Sequence, residues 1–329
     1  MKSLRTGVIG LGIGKCHADV LSRMEGVELV AVADLKDDVV TQLGAKLGVR
    51  TYREGAELLK AEALDFVCIC TPPSSHLALT QAAAGRGMHV FCEKPMAPTL
   101  EDCDGMIAAC RNRNVKLMIG QKKRFHPSFR FVKEKLQGEF GPARWAVVRY
   151  ALGRVGWAWF WDERDGGGPL LENSVHAMDI LRFLLGEVER VYAEGGNLFN
   201  PQWAPQVDTA AVSLRFRSGA VAALGCGQAS EWGFASEGTY LGADNAVVEI
   251  TGSFDSPEDV RYILRSNPKN VVEVRHENVD LFTLELAHWA DCIRQGTEPL
   301  VSGEVAKGSV AVCLAVKESV RTGRPVTLR

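Results

Sequence analysis

The chain has 329 residues, of which 46% are hydrophobic and 24% are charged, a composition typical of a soluble protein long enough for two domains. The formal net charge is −2, so no overall charge favours a nucleic acid or a membrane surface as partner. The apolar runs are shorter than the roughly 18 residues of a membrane span, and the nine scattered cysteines form no Cys-x-x-Cys pair, so no metal site is expected. We therefore expect a cytoplasmic protein that acts on a small molecule.

The first predicted element is a short buried strand over residues 4–10, followed by a glycine-rich turn and a helix to about Met24. This is the context of a dinucleotide-binding fingerprint, in which glycines let the backbone turn tightly and approach a pyrophosphate. The third glycine comes one position early, because the spacing is Gly-x-Gly-x-Gly where Gly-x-Gly-x-x-Gly is usual. The cofactor-binding candidates in the turn are Gly10, Gly12, Ile13 and Gly14.

A second predicted strand, over residues 28–34, ends in Asp34, 20 positions after Gly14. That spacing is typical of the carboxylate that binds the ribose hydroxyls of NAD. A carboxylate there repels the 2′-phosphate of NADP, so we favour NAD, although Lys36 is nearby. The alternative is that Asp34 only caps the next helix.

Three further strands complete a predicted N-terminal domain over residues 1–121. They are expected at 64–70, 88–92 and 115–119, with one helix that ends at the turn 85–87 and another at 99–113. In a parallel sheet the residues that follow the strands meet at one edge, where a cofactor crevice forms. We expect His76 to cap a helix or to line the nicotinamide side of that crevice. The cofactor-binding candidates after these strands are Thr71, Pro72, His76, Glu93, Lys94 and Gln121.

The pattern changes after Gln121, where five basic residues lie between positions 122 and 133. They form either a patch for an anionic group or, in our preferred interpretation, the solvated face of a helix that extends to about Leu136. Alternating segments then predict an antiparallel sheet, and two helices follow. The strands are predicted near 143–152 and at 189–196, 208–216, 219–229, 237–243 and 246–250, and the helices at 282–295 and 302–321.

One predicted helix carries three titratable groups, Glu172, His176 and Asp179, after the three glycines at 166–168. At about 100° per residue, these side chains share one face of an α-helix. A charged face on an otherwise apolar helix is typical of a cleft wall. The alternative is a salt-bridged surface helix.

An aromatic segment precedes these glycines. Its residues Trp157, Trp159 and Trp161 are candidates for a substrate wall, because aromatic faces stack well on apolar ligand surfaces. The alternative for this segment is a hydrophobic lid or a subunit contact.

Together these motifs resemble those of the glucose–fructose oxidoreductase and inositol dehydrogenase (Gfo/Idh/MocA-type) family of NAD(P)-dependent oxidoreductases. In chain order they are the glycine turn with its following His, Asp34, Thr71-Pro72 with His76, Glu93-Lys94-Pro95, and the glycines 166–168 with His176. The resemblance implies an N-terminal Rossmann domain with a doubly wound parallel sheet. It also implies a C-terminal α+β domain over residues 122–329, whose open, mainly antiparallel sheet joins a homodimer or homotetramer.

The resemblance further implies hydride transfer between nicotinamide and a hydroxyl carbon of a sugar, sugar acid or cyclitol. It assigns the proton chemistry to Lys94 and His176, and a carboxylate at position 172 would orient the substrate or the imidazole. Asp179 and Arg124 are additional substrate-binding candidates, although Asp179 could instead pair with Arg182.

The chain departs from the family pattern in the segment before His176. The family usually has Asp-x-Gly-x-His, whereas this chain has Glu172 and Ser174 in place of the acid and the glycine. Two other functions therefore stay open, a redox-assisted, NAD-dependent glycosidase or lyase and a non-catalytic NAD-binding protein.

Overall fold

The structure is a computed structural model that describes residues 3–252, 259–277 and 279–328. The chain divides into two compact units, one formed by Met1–Lys122 with Asp280–Lys307 and one by Lys123–Val279 with Gly308–Arg329. The expected division, 1–121 and 122–329, places residues 280–307 in the second domain, and the structure places them in the first unit. Among the described residues, no helix combines the length and the apolar character needed to span a membrane.

The first unit is built on a parallel sheet. Its strands are β1 (Leu4–Ile9), β2 (Val27–Ala33), β3 (Arg50–Tyr52), β4 (Phe66–Ile69), β5 (His89–Glu93) and β6 (Leu117–Gly120). In the described chain they are ordered β3-β2-β1-β4-β5-β6, and neighbouring strands run parallel. Every residue of β4 is buried, as expected for a sheet covered on both faces. The order reverses between β1 and β4, which is where such sheets open a ligand crevice.

Helices cover this sheet. They are α1 (Gly14–Arg23), α2 (Asp37–Leu47), α3 (Gly55–Ala61), α4 (His76–Gly85), α5 (Leu100–Asn112) and, from the distant segment, α10 (Leu281–Gln295). Trp289 of α10 is fully buried, with ring centroids 6.3 Å from both Phe66 and His89 in edge-to-face geometry. Burial of this large aromatic side chain explains why the segment packs with the first unit.

The second unit is built on a mixed sheet. The first helices of this unit are α6 (Pro127–Leu136), α7 (Ala158–Trp161), α8 (Pro169–Glu172) and α9 (Val175–Leu185). Its strands are β7 (Ala143–Gly153), β8 (Val188–Gly196), β9 (Thr209–Phe216), β10 (Val221–Ser230), β11 (Ser236–Ala243), β12 (Ala246–Gly252), β13 (Asp259–Leu264), β14 (Val271–Val274) and β15 (Val326–Thr327), and the chain also forms α11 (Gly303–Thr322) after α10.

Within the described residues this sheet has the order β14-β13-β12-β11-β7-β10-β9-β8-β15. The β7 and β10 strands pair in parallel, and the other neighbours pair antiparallel. Residues of β9 alternate between buried and exposed, so one face of the sheet packs against the core and the other is accessible. The predicted fold class, a doubly wound parallel sheet with a mainly antiparallel second sheet, is confirmed.

Candidate functional site

The three glycines of the N-terminal turn lie in different surroundings, so each would be affected differently by an added side chain. Gly10 has a φ of +86°, and a Cβ there would lie 2.7 Å from the backbone C and O of Cys70. A Cβ on Gly14 would approach Val8 at 3.1 Å, so this glycine lets α1 pack closely on β1. A Cβ on Gly12 would meet no atom within 4 Å. The close packing at Gly10 and Gly14, with open space at Gly12, fits a turn that a pyrophosphate approaches at Gly12.

Asp34 is held against this turn at the end of β2. Its Oδ2 accepts a hydrogen bond from the backbone N of Leu11 at 2.6 Å, and its Oδ1 accepts one from Lys36 N at 2.9 Å. Each carboxylate oxygen has a further lone pair. The half-buried carboxylate can therefore orient the glycine turn and still accept a ribose hydroxyl.

His76 ties together the loops that follow β4 and β5. The carbonyl oxygens of Met96 and Thr71 lie 3.1 and 2.8 Å from its Nδ1 and Nε2, and the side chain is fully buried. Burial lowers the pKa of this imidazole, although the two carbonyl contacts oppose that shift. Because both ring nitrogens face backbone carbonyls, His76 holds the loop that carries Thr71 and Pro72. Its role as a cofactor contact stays a prediction.

Glu93 and Lys94 follow one another at the end of β5. The Oε1 of Glu93 lies 2.7 Å from Nε2 of His17 on α1, and its Oε2 accepts a hydrogen bond from Lys94 N at 3.0 Å. Both carboxylate oxygens are thus engaged inside the unit, and the carboxylate is buried. Glu93 therefore fixes the backbone at Lys94, and its role as a cofactor contact stays a prediction. Lys94 itself is half-buried.

Gln121 and Ile13 offer further groups to a cofactor. Gln121 follows β6 and is 1% exposed, and its side-chain amide N and O have no hydrogen-bond partner among the described residues. A buried carboxamide without partners costs free energy unless a ligand satisfies it. Ile13 precedes α1 and is 43% exposed. These side chains, together with the open space at Gly12, fit a dinucleotide.

In the second unit, the predicted helix over 172–179 is two helices. The carbonyl of Pro169 accepts hydrogen bonds from both Asn173 N and Ser174 N, at 3.1 and 3.2 Å, which ends α8 before α9 begins. Glu172 therefore belongs to the first helix, and His176 and Asp179 lie one turn apart on the second. The prediction that all three share one helical face is wrong.

His176 is buried and lines a small cavity with polar neighbours. Lys123, Tyr150 and Glu237 contribute to the same lining, and Lys123 forms an ion pair with Glu237. The cavity volume is about 20 Å³, enough for one water molecule. Sequence reasoning missed Glu237, because its partner Lys123 is 114 positions away in the sequence.

Asp179 and Arg124 bind each other. Arg124 donates from Nε and Nη2 to the two carboxylate oxygens of Asp179 at 2.6 and 2.8 Å, and Ser309 donates a further bond at 2.8 Å. Both members of the pair are buried. They are therefore a buried ion pair, and their assignment as substrate-binding residues stays a prediction. The prediction of a solvated helix face is confirmed for the exposed Arg130 and is wrong for Lys123 and Arg124, which are buried and precede α6.

The tryptophans of the aromatic segment have different environments. Trp161 is 3% exposed, donates from Nε1 to the carbonyl of Val155 at 2.7 Å and stacks on Trp203. It is a buried residue, and its assignment to a substrate wall stays a prediction. Trp157 is 62% exposed and stacks on the half-buried Trp159 with ring centroids 5.9 Å apart.

Comparisons with known proteins place the chain among oxidoreductases. A family model described as an oxidoreductase family with an NAD-binding Rossmann fold matches residues 4–121, and a model of the GFO/IDH/MocA C-terminal domain matches residues 129–262. The chain is 32% identical to myo-inositol 2-dehydrogenase of Thermotoga maritima, over 99% of this chain and 98% of that protein. It is 30% identical to D-apiose dehydrogenase of Paraburkholderia graminis, over 100% of this chain and 91% of that protein.

A solved structure shows the same fold. The aldose–aldose oxidoreductase of Caulobacter crescentus superposes with a TM-score of 0.88 at 26% identity, covering 99% of this chain and 100% of that chain. Sequence identity over nearly the whole length, the two domain matches and this common fold all agree. The chain belongs to the Gfo/Idh/MocA family of NAD-binding oxidoreductases.

Proposed function

We propose that the protein transfers a hydride between the nicotinamide of NAD and a hydroxyl carbon of a sugar, sugar acid or cyclitol. The observation that most supports this proposal is the place of Lys94, which follows β5 at the carboxyl edge of the same parallel sheet that carries the glycine turn. Ligands of such sheets bind at that edge. The relatives named for myo-inositol and D-apiose favour this class of substrate.

Two residues carry the proton chemistry in this proposal. Bound NAD supplies the hydride acceptor or donor. The ammonium group of Lys94 donates a hydrogen bond to the reacting oxygen and stabilises the negative charge that develops there. His176 accepts the hydroxyl proton, a role suited to imidazole because it gains and loses a proton near neutral pH. Glu172 orients the substrate or the imidazole.

Two other side chains complete the proposed substrate site. The exposed face of Trp157 and the half-buried Trp159 form an apolar wall for the ring of the substrate.

We propose NAD as the preferred cofactor because of Asp34. Its carboxylate lies at the end of β2 beside the glycine turn, where it accepts ribose hydroxyls and repels a 2′-phosphate.

We also propose a homodimer or homotetramer joined through the second sheet. Trp145 and Tyr240 pack edge to face at 6.0 Å on its accessible side, where they are 42% and 45% exposed and adjoin the exposed Val147. An apolar patch of this kind favours a protein partner.

The cysteines, all nine of them unpaired, support a cytoplasmic location.

The test is a screen of sugars, sugar acids and inositols with NAD and NADP in parallel, measured by formation of the reduced cofactor. We expect turnover with at least one polyol and a preference for NAD. Binding of NAD without turnover on any member of the panel would support a non-catalytic protein instead. Cleavage of a glycoside without net NADH would support a redox-assisted glycosidase or lyase.

A further inference from the structure

A fully buried carboxyl group on α10 lies beside the turn that carries Lys94. Three polar side-chain atoms lie within 4.8 Å of one another, one each from Glu285, Glu93 and His17. Neither carboxyl oxygen of Glu285 has a hydrogen-bond partner among the described residues. An acid in such a place costs free energy, because its polar atoms have lost their contacts with water. A functional reason for keeping it is therefore needed.

Glu93 is the group that Glu285 faces and the group that fixes Lys94. One of its oxygens lies 2.7 Å from His17 Nε2, and the other accepts the backbone N–H of Lys94 at 3.0 Å. The His17 ring is itself fixed by the aromatic rings of Phe91 and Phe282, with centroids 5.2 and 5.0 Å away. Any group that orients the carboxylate of Glu93 therefore also sets the backbone at Lys94.

We propose that Glu285 is a positioning residue, which acts through Glu93 and His17 to hold the backbone of Lys94 in place. The proposal rests on the function proposed above, in which Lys94 contacts the reacting oxygen. Glu285 donates a hydrogen bond from its carboxyl O–H to the carboxylate of Glu93. This bond forms either directly, after a small side-chain rotation, or through one buried water. The contact links α10, from the C-terminal part of the chain, to the end of β5.

The electrostatics of the pair match this donor and acceptor. Burial raises the pKa of Glu285 well above its ordinary value, and the negative charge of Glu93 raises it further. Burial also raises the pKa of Glu93, but the hydrogen bond and charge of His17 outweigh that effect and the net shift is downward. These opposite directions suit a carboxyl donor at Glu285 and a carboxylate acceptor at Glu93. The titratable groups that interact with Glu285 or face it are Glu93, Lys122, Asp280, Cys68, Cys70 and His17.

Two substitutions of Glu285 distinguish a positioning role of this residue from a packing role. Glu285→Gln keeps the shape and a hydrogen-bond donor, so we expect its kcat to stay within about threefold of the wild-type value. Glu285→Leu keeps the volume and removes the donor, so we expect kcat to fall by roughly ten- to a hundredfold, because a displacement near 1 Å can cost about a hundredfold. The Kd for NAD should change little in both variants, and the thermal unfolding midpoint should not fall in either. Glu298→Leu, at a side chain that is 83% exposed, is the matched control.

Full kcat in Glu285→Leu would overturn the proposal, and so would an equal loss in Glu285→Gln. If Glu285→Leu does not fold, Glu285→Met takes its place with the same expectation. A purely structural role would instead lower the unfolding midpoint and kcat together.

A second measurement needs no turnover. Infrared difference spectra of wild type against Glu285→Gln should show the carbonyl stretch of a protonated carboxyl group at neutral pH. If that band is absent, Glu285 is ionised and the proposal fails, whatever the substrate of the enzyme. Metal found in the purified wild type and missing from Glu285→Gln would also overturn it, because Glu285 would then be an ionised ligand. If the band is present and no substrate turns over, the function proposed above fails instead.

Discussion

The ion pair between Asp179 and Arg124 gives a prediction at the scale of single residues. Removing one partner of a buried pair leaves an uncompensated charge, so Asp179→Ala should lower the free energy of unfolding by about 3–5 kcal/mol. Chemical denaturation at a fixed pH measures this change. Asp244→Ala, which breaks an exposed pair with Arg144, is the control and should have little effect. An unchanged stability in Asp179→Ala would show that the pair does not support the core.

Asp34 sets the cofactor preference at the same scale. Asp34→Asn removes the negative charge and keeps one of the two oxygens that accept backbone hydrogen bonds at the turn. We expect the ratio of kcat/KM for NADP to that for NAD to rise at least about tenfold, which corresponds to about 1.4 kcal/mol. Asp37→Asn, on the exposed first turn of α2, should leave that ratio unchanged. An unchanged ratio in Asp34→Asn would remove Asp34 from the cofactor site.

At the scale of elements, the glycine turn offers a paired test. In Gly10→Ala the new Cβ would collide with the backbone of Cys70 at a positive φ, so the turn should shift and the unfolding midpoint should fall. In Gly12→Ala the Cβ enters open space, so the midpoint should hold while the affinity for NAD falls. Thermal unfolding and NAD titration of the two variants measure both effects. Wild-type NAD affinity in Gly12→Ala would argue against a pyrophosphate at this turn.

Local patterns predict the elements that are buried or strongly alternating. The strands around the glycine turn and Asp34 are found within a residue or two, because continuous apolar runs and turn glycines mark them. The short β3, with its two exposed residues, and the half-exposed β14 have weak patterns and were not predicted. The break between α8 and α9 depends on a single carbonyl that accepts two hydrogen bonds, which no periodicity reveals.

The candidate site shows more clearly what local sequence patterns do not reveal. Lys123 and Arg124 look like solvated charges in sequence, because their partners Glu237 and Asp179 are 114 and 55 positions away. Glu285 gives no sequence signal for the same reason, since its importance comes only from the distant Glu93. The sequence predicts which groups are chemically suited to a site, whereas long-range packing decides which of them are already paired.

At the scale of the whole molecule, the accessible face of the second sheet predicts self-association. Trp145→Glu would place a charge among the exposed aromatic side chains, so the oligomer should dissociate toward the monomer. Light scattering on a sizing column measures the molecular mass. Leu35→Glu, at a side chain that is exposed in the first unit, should leave the mass unchanged. A wild-type protein that runs as a monomer would contradict the proposed interface.

In the proposed mechanism Lys94 acts on the reacting oxygen, and the turnover of Lys94→Ala with the substrate found by the screen tests this role. We expect kcat to fall by about 10²- to 10⁴-fold while the Kd for NAD stays close to the wild-type value. Lys60→Ala, at an exposed lysine of the same unit, should keep full activity. Full turnover in Lys94→Ala against that substrate would show that Lys94 does not act on the reacting oxygen.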